Sequence, residues 1–262
     1  MKKNKFEIDK FSKTIIIVFL IYSIIMIAIF LPAYLKRQGN LYIVTNSIRI
    51  KYVNGTWSNI DKDNDYKLKQ FNIYQDNEYL GKYEVLYANN LLSLYEKGKS
   101  ISYSGNIFGY RGNIKLDIYG TDSIDKLSDT DKVFVREALT ELKLNDTNLS
   151  YIEKKEIDVN NNGILDTIYC ISNFYNEDDN PQRFSIIFMV KDGKVKIIDK
   201  IIVDSSEIDD CRILSIMNIL DIKKDKKMEL LYTNNYSNGS ADSECAAIYD
   251  LSNNKLIHNF CE

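Results

Sequence analysis

Ile152-Glu-Lys-Lys-Glu-Ile-Asp-Val-Asn-Asn-Asn-Gly-Ile-Leu-Asp-Thr-Ile-Tyr-Cys-Ile171 is the stretch whose reading decides the fold. Its two ends read as strands and its middle, Asp158 to Asp166, as an acidic, amide-rich turn. A hairpin follows, Phe184 to Val190 and Val195 to Val203, turned at Asp192-Gly193. About sixty residues after the first turn a weaker copy appears: Ile213 to Ile216, the segment Asp221-Ile-Lys-Lys-Asp-Lys-Lys-Met-Glu229, then Leu230 to Thr233. A second hairpin turns around Asn253-Asn254. The expected organisation of residues 121–262 is therefore a helix and two four-stranded, propeller-blade-like repeat units.

The first turn follows the pattern D-x-[DN]-x-[DN]-G-x-x-D. A hard cation takes six to eight oxygen ligands, and alternate side chains on such a loop converge. The candidate metal ligands are Asp158, Asn160, Asn162, the Ile164 carbonyl and Asp166, with Gly163 allowing the sharp turn. An EF-hand needs Glu at loop position twelve, which here is Tyr169. The loop resembles instead the calcium loops of FG-GAP/VCBS-type β repeats, in which such a turn joins two strands. That resemblance implies Ca2+ as the ion, with Asp221–Glu229 as a degenerate second copy. Two carboxylates imply weak affinity, roughly 0.1–1 mM. The alternative is an Asn-Gly turn that binds nothing. In the second copy Lys226 replaces the glycine and Lys223 an oxygen ligand, so no metal is expected; a lysine ammonium among Asp221, Asp225 and Glu229 supplies the positive charge.

Ahead of the repeats, residues 36–120 read as a β-rich module, with alternating runs at Ile48–Val53, Phe71–Tyr74, Lys82–Tyr87, Leu91–Tyr95 and Ile101–Tyr103. Asn54-Gly55 signals a two-residue hairpin. Gly105, Gly109 and Gly112 match neither dinucleotide nor Walker spacing and read as turn glycines. One amphipathic helix is predicted from about Asp129 to Lys143, capped by Ser128 with Asp131 three residues on. Val135, Ala138, Leu139 and Leu142 form its packing face.

Residues 14–35 carry no charge and span about 33 Å if helical, enough for a bilayer core. No small-x-small pair follows, so an uncleaved transmembrane signal anchor is expected in preference to a cleaved signal. Lys2, Lys3, Lys5, Lys10 and Lys13 precede it and only Lys36 and Arg37 follow closely, which keeps tail 1–13 cytoplasmic and the bulk outside. The four cysteines, Cys170, Cys211, Cys245 and Cys261, then suit an oxidising compartment. The expected pairs are Cys245–Cys261 across the last hairpin and Cys170–Cys211, against an alternative of buried free thiols.

Composition excludes several functions. With 34 Lys+Arg against 37 Asp+Glu, nothing draws the chain to nucleic acid. A single His, His258, disfavours a His-based triad or multi-His zinc site. The richness in Lys, Ile and Asn fits an AT-rich, bacterial coding genome. The expectation is a mainly β, membrane-anchored, single-pass extracytoplasmic binding protein, non-catalytic, whose partner is a cell-envelope glycan or protein. A subunit of an envelope membrane complex and a cell-envelope hydrolase are the alternatives.

Overall fold

Alternating apolar residues and Gly- or Asn-bearing turns build three antiparallel sheets in the computed structural model. It describes residues 40–260 apart from 47, 54, 61–68, 89–90, 115, 145–147, 175–181, 205–211, 223 and 237–244, together with positions 18, 19, 21–23 and 26. Strands β1 (Leu41–Thr45), β2 (Arg49–Val53), β3 (Thr56–Asn59), β4 (Lys69–Gln75), β5 (Glu78–Ala88), β6 (Leu91–Glu96), β7 (Lys99–Ile101) and β8 (Ile107–Gly112) form an eight-stranded sheet in the order β3-β2-β1-β8-β4-β5-β6-β7. The sheet folds over its own apolar face, which holds Val44, Phe71, Ile73, Val85 and Leu94. The Tyr87 hydroxyl fastens the fold by donating to the carbonyls of Thr45 and Ile48.

Two five-stranded sheets follow. One orders β10 (Asp122–Ser123), β11 (Tyr151–Ile157), β12 (Asp166–Ser172), β13 (Gln182–Lys191) and β14 (Lys194–Asp204). The other orders β18 (Lys255–Asn259), β17 (Cys245–Asp250), β16 (Glu229–Tyr236), β15 (Arg212–Asp221) and β9 (Asp117–Tyr119). Each repeat unit is thus a four-stranded meander that takes a fifth, antiparallel strand from the segment ahead of it.

The units do not form propeller blades, and this corrects the sequence-based expectation. They stack face to face: Ile168, Cys170 and Met189 of the first pack against Leu214, Ile219 and Leu230 of the second. Two sheets with one strongly apolar face each bury it most fully against one another. The second sheet is then covered on its other side by the eight-stranded sheet, with Leu220, Leu231 and Ile248 against Leu41, Ile43 and Ile50. It is the central layer. The outer face of the first unit is covered by α1 (Asp129–Glu141), whose Val135, Ala138 and Leu139 meet Ile171, Phe184 and Phe188.

Two further expectations need correction or fall elsewhere. The tail 1–13 and almost all of the apolar run 14–35 lie outside the described residues, and no helix among the described residues is long and apolar enough to cross a membrane. No transmembrane helix therefore belongs to the described architecture. No disulfide is present among the described residues either. Cys170 is a free, fully buried thiol that points into the packing between the two stacked sheets and donates to the Leu214 carbonyl at 3.3 Å. Cys211 and Cys261 lie outside the described residues, and Cys245 sits on β17 opposite Asn234.

The helix is held to its sheet by one carboxylate. Ser128 caps α1 and receives the Asp131 amide, while the Asp131 side chain accepts from the Ser128 amide in return. Its other oxygen accepts from the Tyr169 hydroxyl at 2.6 Å and the Lys154 ammonium at 2.9 Å, both on the sheet beneath. Burial works against ionisation of Asp131, but the donors from Tyr169, Ser128 and Lys154 outweigh it and hold the carboxyl at about 2. A lowered folded-state value adds stability above the ordinary carboxylate range, lost as pH falls through that value. Asp131→Asn should therefore cost about 2 kcal/mol at pH 7 in urea denaturation. The gap from the parent protein should narrow between pH 4 and pH 2, and a constant gap would show that the charge is not what matters.

Candidate functional site

On β11, residues 151, 153, 155 and 157 share one face, and Ile152 and Lys154 the other. Ile152 packs under α1 and Lys154 reaches Asp131, so the first set points toward the central sheet. Tyr151 and Ile157 suit that interior, but Glu153 places a carboxylate there. It borders a cleft of about 470 Å³ where all three sheets meet. Its walls come from the β4–β5 turn, the start of β8, β10, β11 and β15.

Each wall is fixed by local chemistry. Asp76 and Asn77 make the tight β4–β5 turn in left-handed backbone, with φ of 46° and 70°. The turn is pinned where the Asp76 amide donates to the Asn106 carbonyl and the Asn106 amide returns a bond to Asp76 Oδ1, both at 3.0 Å. Gly120 passes so close to the Asn77 carboxamide that any Cβ would overlap it. On β15 a bulge between Ile216 and Asn218 inserts one residue against β16. Asn218, 2% exposed, donates from Nδ2 to Asn77 Oδ1 at 3.1 Å, and its own buried Oδ1 has no donor.

Burial pushes the Glu153 carboxyl above the usual carboxylate range, and its donors reduce that rise without cancelling it. They are the Tyr151 hydroxyl at 2.5 Å, the Ile216 amide at 3.4 Å and the Thr121 side chain. Burial, with Glu153 beside it, also pushes the Tyr151 phenol up. Among the described residues that line the cleft there is no Lys, Arg, His or Cys. At the rim Asp122 pairs with the Lys155 ammonium at 3.6 Å. The arrangement can accept hydrogen bonds and attract positive charge.

None of these residues was singled out from sequence, because they come from five separate segments. One signal existed: Glu153 stands at the inward phase of an alternating strand, between Tyr151 and Ile157.

The sequence-predicted metal ligands lie elsewhere, at the β11–β12 turn. The Asp158 carboxylate accepts the amides of Asn160, Asn162 and Gly163 at 3.4, 3.0 and 2.7 Å. Asn162 Oδ1 accepts the Ile164 amide, and Asp166 Oδ2 the Val159 amide. The five candidates do share one loop, which closes through its own backbone donors, and Asn160 Oδ1 is buried without a donor. Among the described residues no group of three or more His, Cys, Asp or Glu is placed to hold an ion. The second loop closes the same way: Asp221 accepts the Lys226 amide, Asp225 the Lys227 amide and Glu229 the Ile222 amide. Lys223, a loop lysine, lies outside the described residues. Lys224 pairs outward with Asp117 on β9 at 2.9 Å. His258 lies on β18 with its ring edge against Phe260, a packing contact.

The Tyr151 donor favours the ionised form of Glu153, so Tyr151→Phe should move the Glu153 titration to still higher pH. Carbon-detected NMR of the Glu153 carboxyl reads this directly, and an unmoved or lowered midpoint would contradict the assigned bond.

Comparison of the chain with protein-family models, with curated proteins and with solved structures finds no match.

Proposed function

We propose that the chain is a non-catalytic, envelope-facing binding protein whose ligand lodges in the three-sheet cleft. The single observation that carries this reading is the convergence there of Glu153, Asn218 and Asn77 on a hollow large enough for a small molecule. A rigid floor suits recognition, and among the described residues lining the cleft no nucleophile stands beside a His or Lys base. The apolar run 14–35 and the lysines before it support attachment to the cell membrane with the β-rich mass outside, where cell-envelope glycan is the abundant partner. The reading includes weak Ca2+ binding at Asp158–Asp166, supported by the acceptor left on Asn160 and by the loop's likeness to FG-GAP/VCBS turns. Calcium titration by calorimetry checks that part, with a millimolar signal lost in Asp158→Ala as the expected result.

A second reading, a cell-envelope glycoside hydrolase, is favoured by one observation: Glu153 is held toward its protonated form in a cleft with a second carboxylate, as a general acid requires. Product release from envelope glycan that disappears in Glu153→Gln would select this reading over the first.

The binding reading is tested by calorimetry of the full chain with soluble envelope-glycan fragments. Gly120→Ala pushes the Asn77 turn outward and breaks the Asn77–Asn218 bond, and should weaken binding about tenfold. Unchanged affinity in that variant would place the ligand elsewhere.

A further inference from the structure

The β-rich mass begins, at Asn40, on the end of the molecule that carries the two acidic loops. The Asn40 amide donates to Asn113 Oδ1 at 2.8 Å, and its carbonyl accepts the Asn113 amide at 3.2 Å. Four residues on, Asp117 stands opposite Asp221 at the mouth of the second loop. Leu41, Leu116 and Ile222 share one apolar cluster there. The first loop and the β17–β18 turn lie at the same end, because the Val159 carbonyl accepts both the Met228 amide and the Ser252 hydroxyl. Residues 36–39 alone separate the apolar run 14–35 from Asn40. Five extended steps of chain, from 35 to 40, reach at most about 17 Å. A bilayer that holds that run therefore lies within reach of this end.

The side chains displayed there suit a lipid surface. Ile164 and Leu165, adjacent at the tip of the first loop, are 54% and 63% exposed. Leu256 and Ile257, just past the β17–β18 turn, are exposed as well. Single exposed aliphatics are ordinary, whereas a group of them at one end marks a contact surface. The loop carboxylates of Asp158, Asp166, Asp221 and Glu229 are drawn onto backbone amides. Lys226 and Lys227 stand exposed on the second loop. Aliphatic tips beside lysines settle at a lipid–water interface, with the ammonium groups at the phosphates. So few apolar side chains bind weakly from solution, but a short tether makes the contact intramolecular and populates it.

We propose that the loop end rests on the bilayer that holds residues 14–35, with Ile164 and Leu165 inserted among the lipid headgroups. This rests on the membrane attachment read above and adds a second, peripheral contact with the same lipid. The three-sheet cleft, bordered by Ile107 and Phe108 at the other end of β8 from Gly112, then faces away from the bilayer.

The full chain carrying Leu165→Trp, reconstituted in phosphatidylcholine vesicles with plain or dibrominated acyl chains, tests this. Trp57, buried and the only tryptophan of the parent, sets the background emission. The added indole should emit at shorter wavelength than in detergent-free water and be quenched by the brominated lipid. Ile164→Trp should behave alike, which keeps the test decisive if one variant folds poorly by circular dichroism. Emission from both variants unchanged by bromine, in protein that floats with the vesicles, overturns the docking and leaves the attachment in place. A shift to shorter wavelength without quenching puts protein over the loop and overturns it equally. Protein that does not float with the vesicles overturns attachment and docking together.

Discussion

The central sheet has no wet face, and most of the structure follows from that. Leu214, Ile216 and Ile219 on β15 face the first repeat unit, while Leu220 and Ile222 face the eight-stranded sheet. Strict alternation cannot deliver that set, since 216 and 219 differ by an odd number. The bulge at Ile216–Asn218 supplies the missing half-step, so that the strand changes phase and both flanks remain apolar. An antiparallel sheet usually alternates between core and solvent. Here each buried aliphatic side chain adds on the order of 1.5–3 kcal/mol on either flank, and every polar group trapped between them needs a partner.

The cleft arises where that requirement is only partly met. At the bulge the ladder is interrupted, and Asn218 turns to the Asn77 carboxamide across a sheet boundary. Glu153 fills the same gap from the opposite layer, with the Ile216 amide at the bulge itself as one donor. Comparison with Asp131 shows what the environment does. The two lie on opposite faces of the same five-stranded sheet, Asp131 on the helix that covers it and Glu153 on β11 within it. Asp131 collects Ser128, Tyr169 and the Lys154 ammonium and is held ionised. Glu153 collects neutral donors only and is held toward its protonated form. A carboxylate with a full set of charged and neutral donors fastens a helix. One with neutral donors alone has its charge only partly compensated, and burial then favours the protonated form.

Local features were legible from sequence because they depend on neighbours in the chain. The Ser128–Asp131 capping box marked the start of α1, and Asp192-Gly193 marked the β13–β14 turn, with Asp192 in left-handed backbone at φ 51°. Mainly β structure followed from alternation and turn spacing. The stacking of the two meanders was not legible, since a strand–loop–strand–hairpin unit has the same pattern in a ring as in a sandwich. What decides between them is the pairing of faces, and the clearest hints were long apolar runs such as Phe184–Val190, too continuous for a sheet wetted on one side. The cleft was hidden for a related reason. Asn77, Asp122, Glu153 and Asn218 are separated by tens of residues and meet only through the crossing of β9 into the central sheet and β10 into its neighbour.

The two acidic loops show most plainly how a repeat outlasts its sequence. Asp158, Asn162 and Asp166 correspond to Asp221, Asp225 and Glu229, and each pair accepts the amide at the corresponding place in its loop. Gly163 has φ 83°, and Lys226 holds the matching position at φ 62°. A lysine in left-handed backbone costs on the order of 1 kcal/mol, and the second loop tolerates it because a Cβ at the equivalent of Gly163 meets open space. The loops also lean on one another, the Met228 amide donating to the Val159 carbonyl and the Ser252 hydroxyl to that same oxygen at 2.6 Å. Backbone closure is therefore common to both, with or without the glycine and with lysines in place of asparagines. The first loop is thus a turn that its own side-chain oxygens close, and the proposed cation is not what holds it in shape.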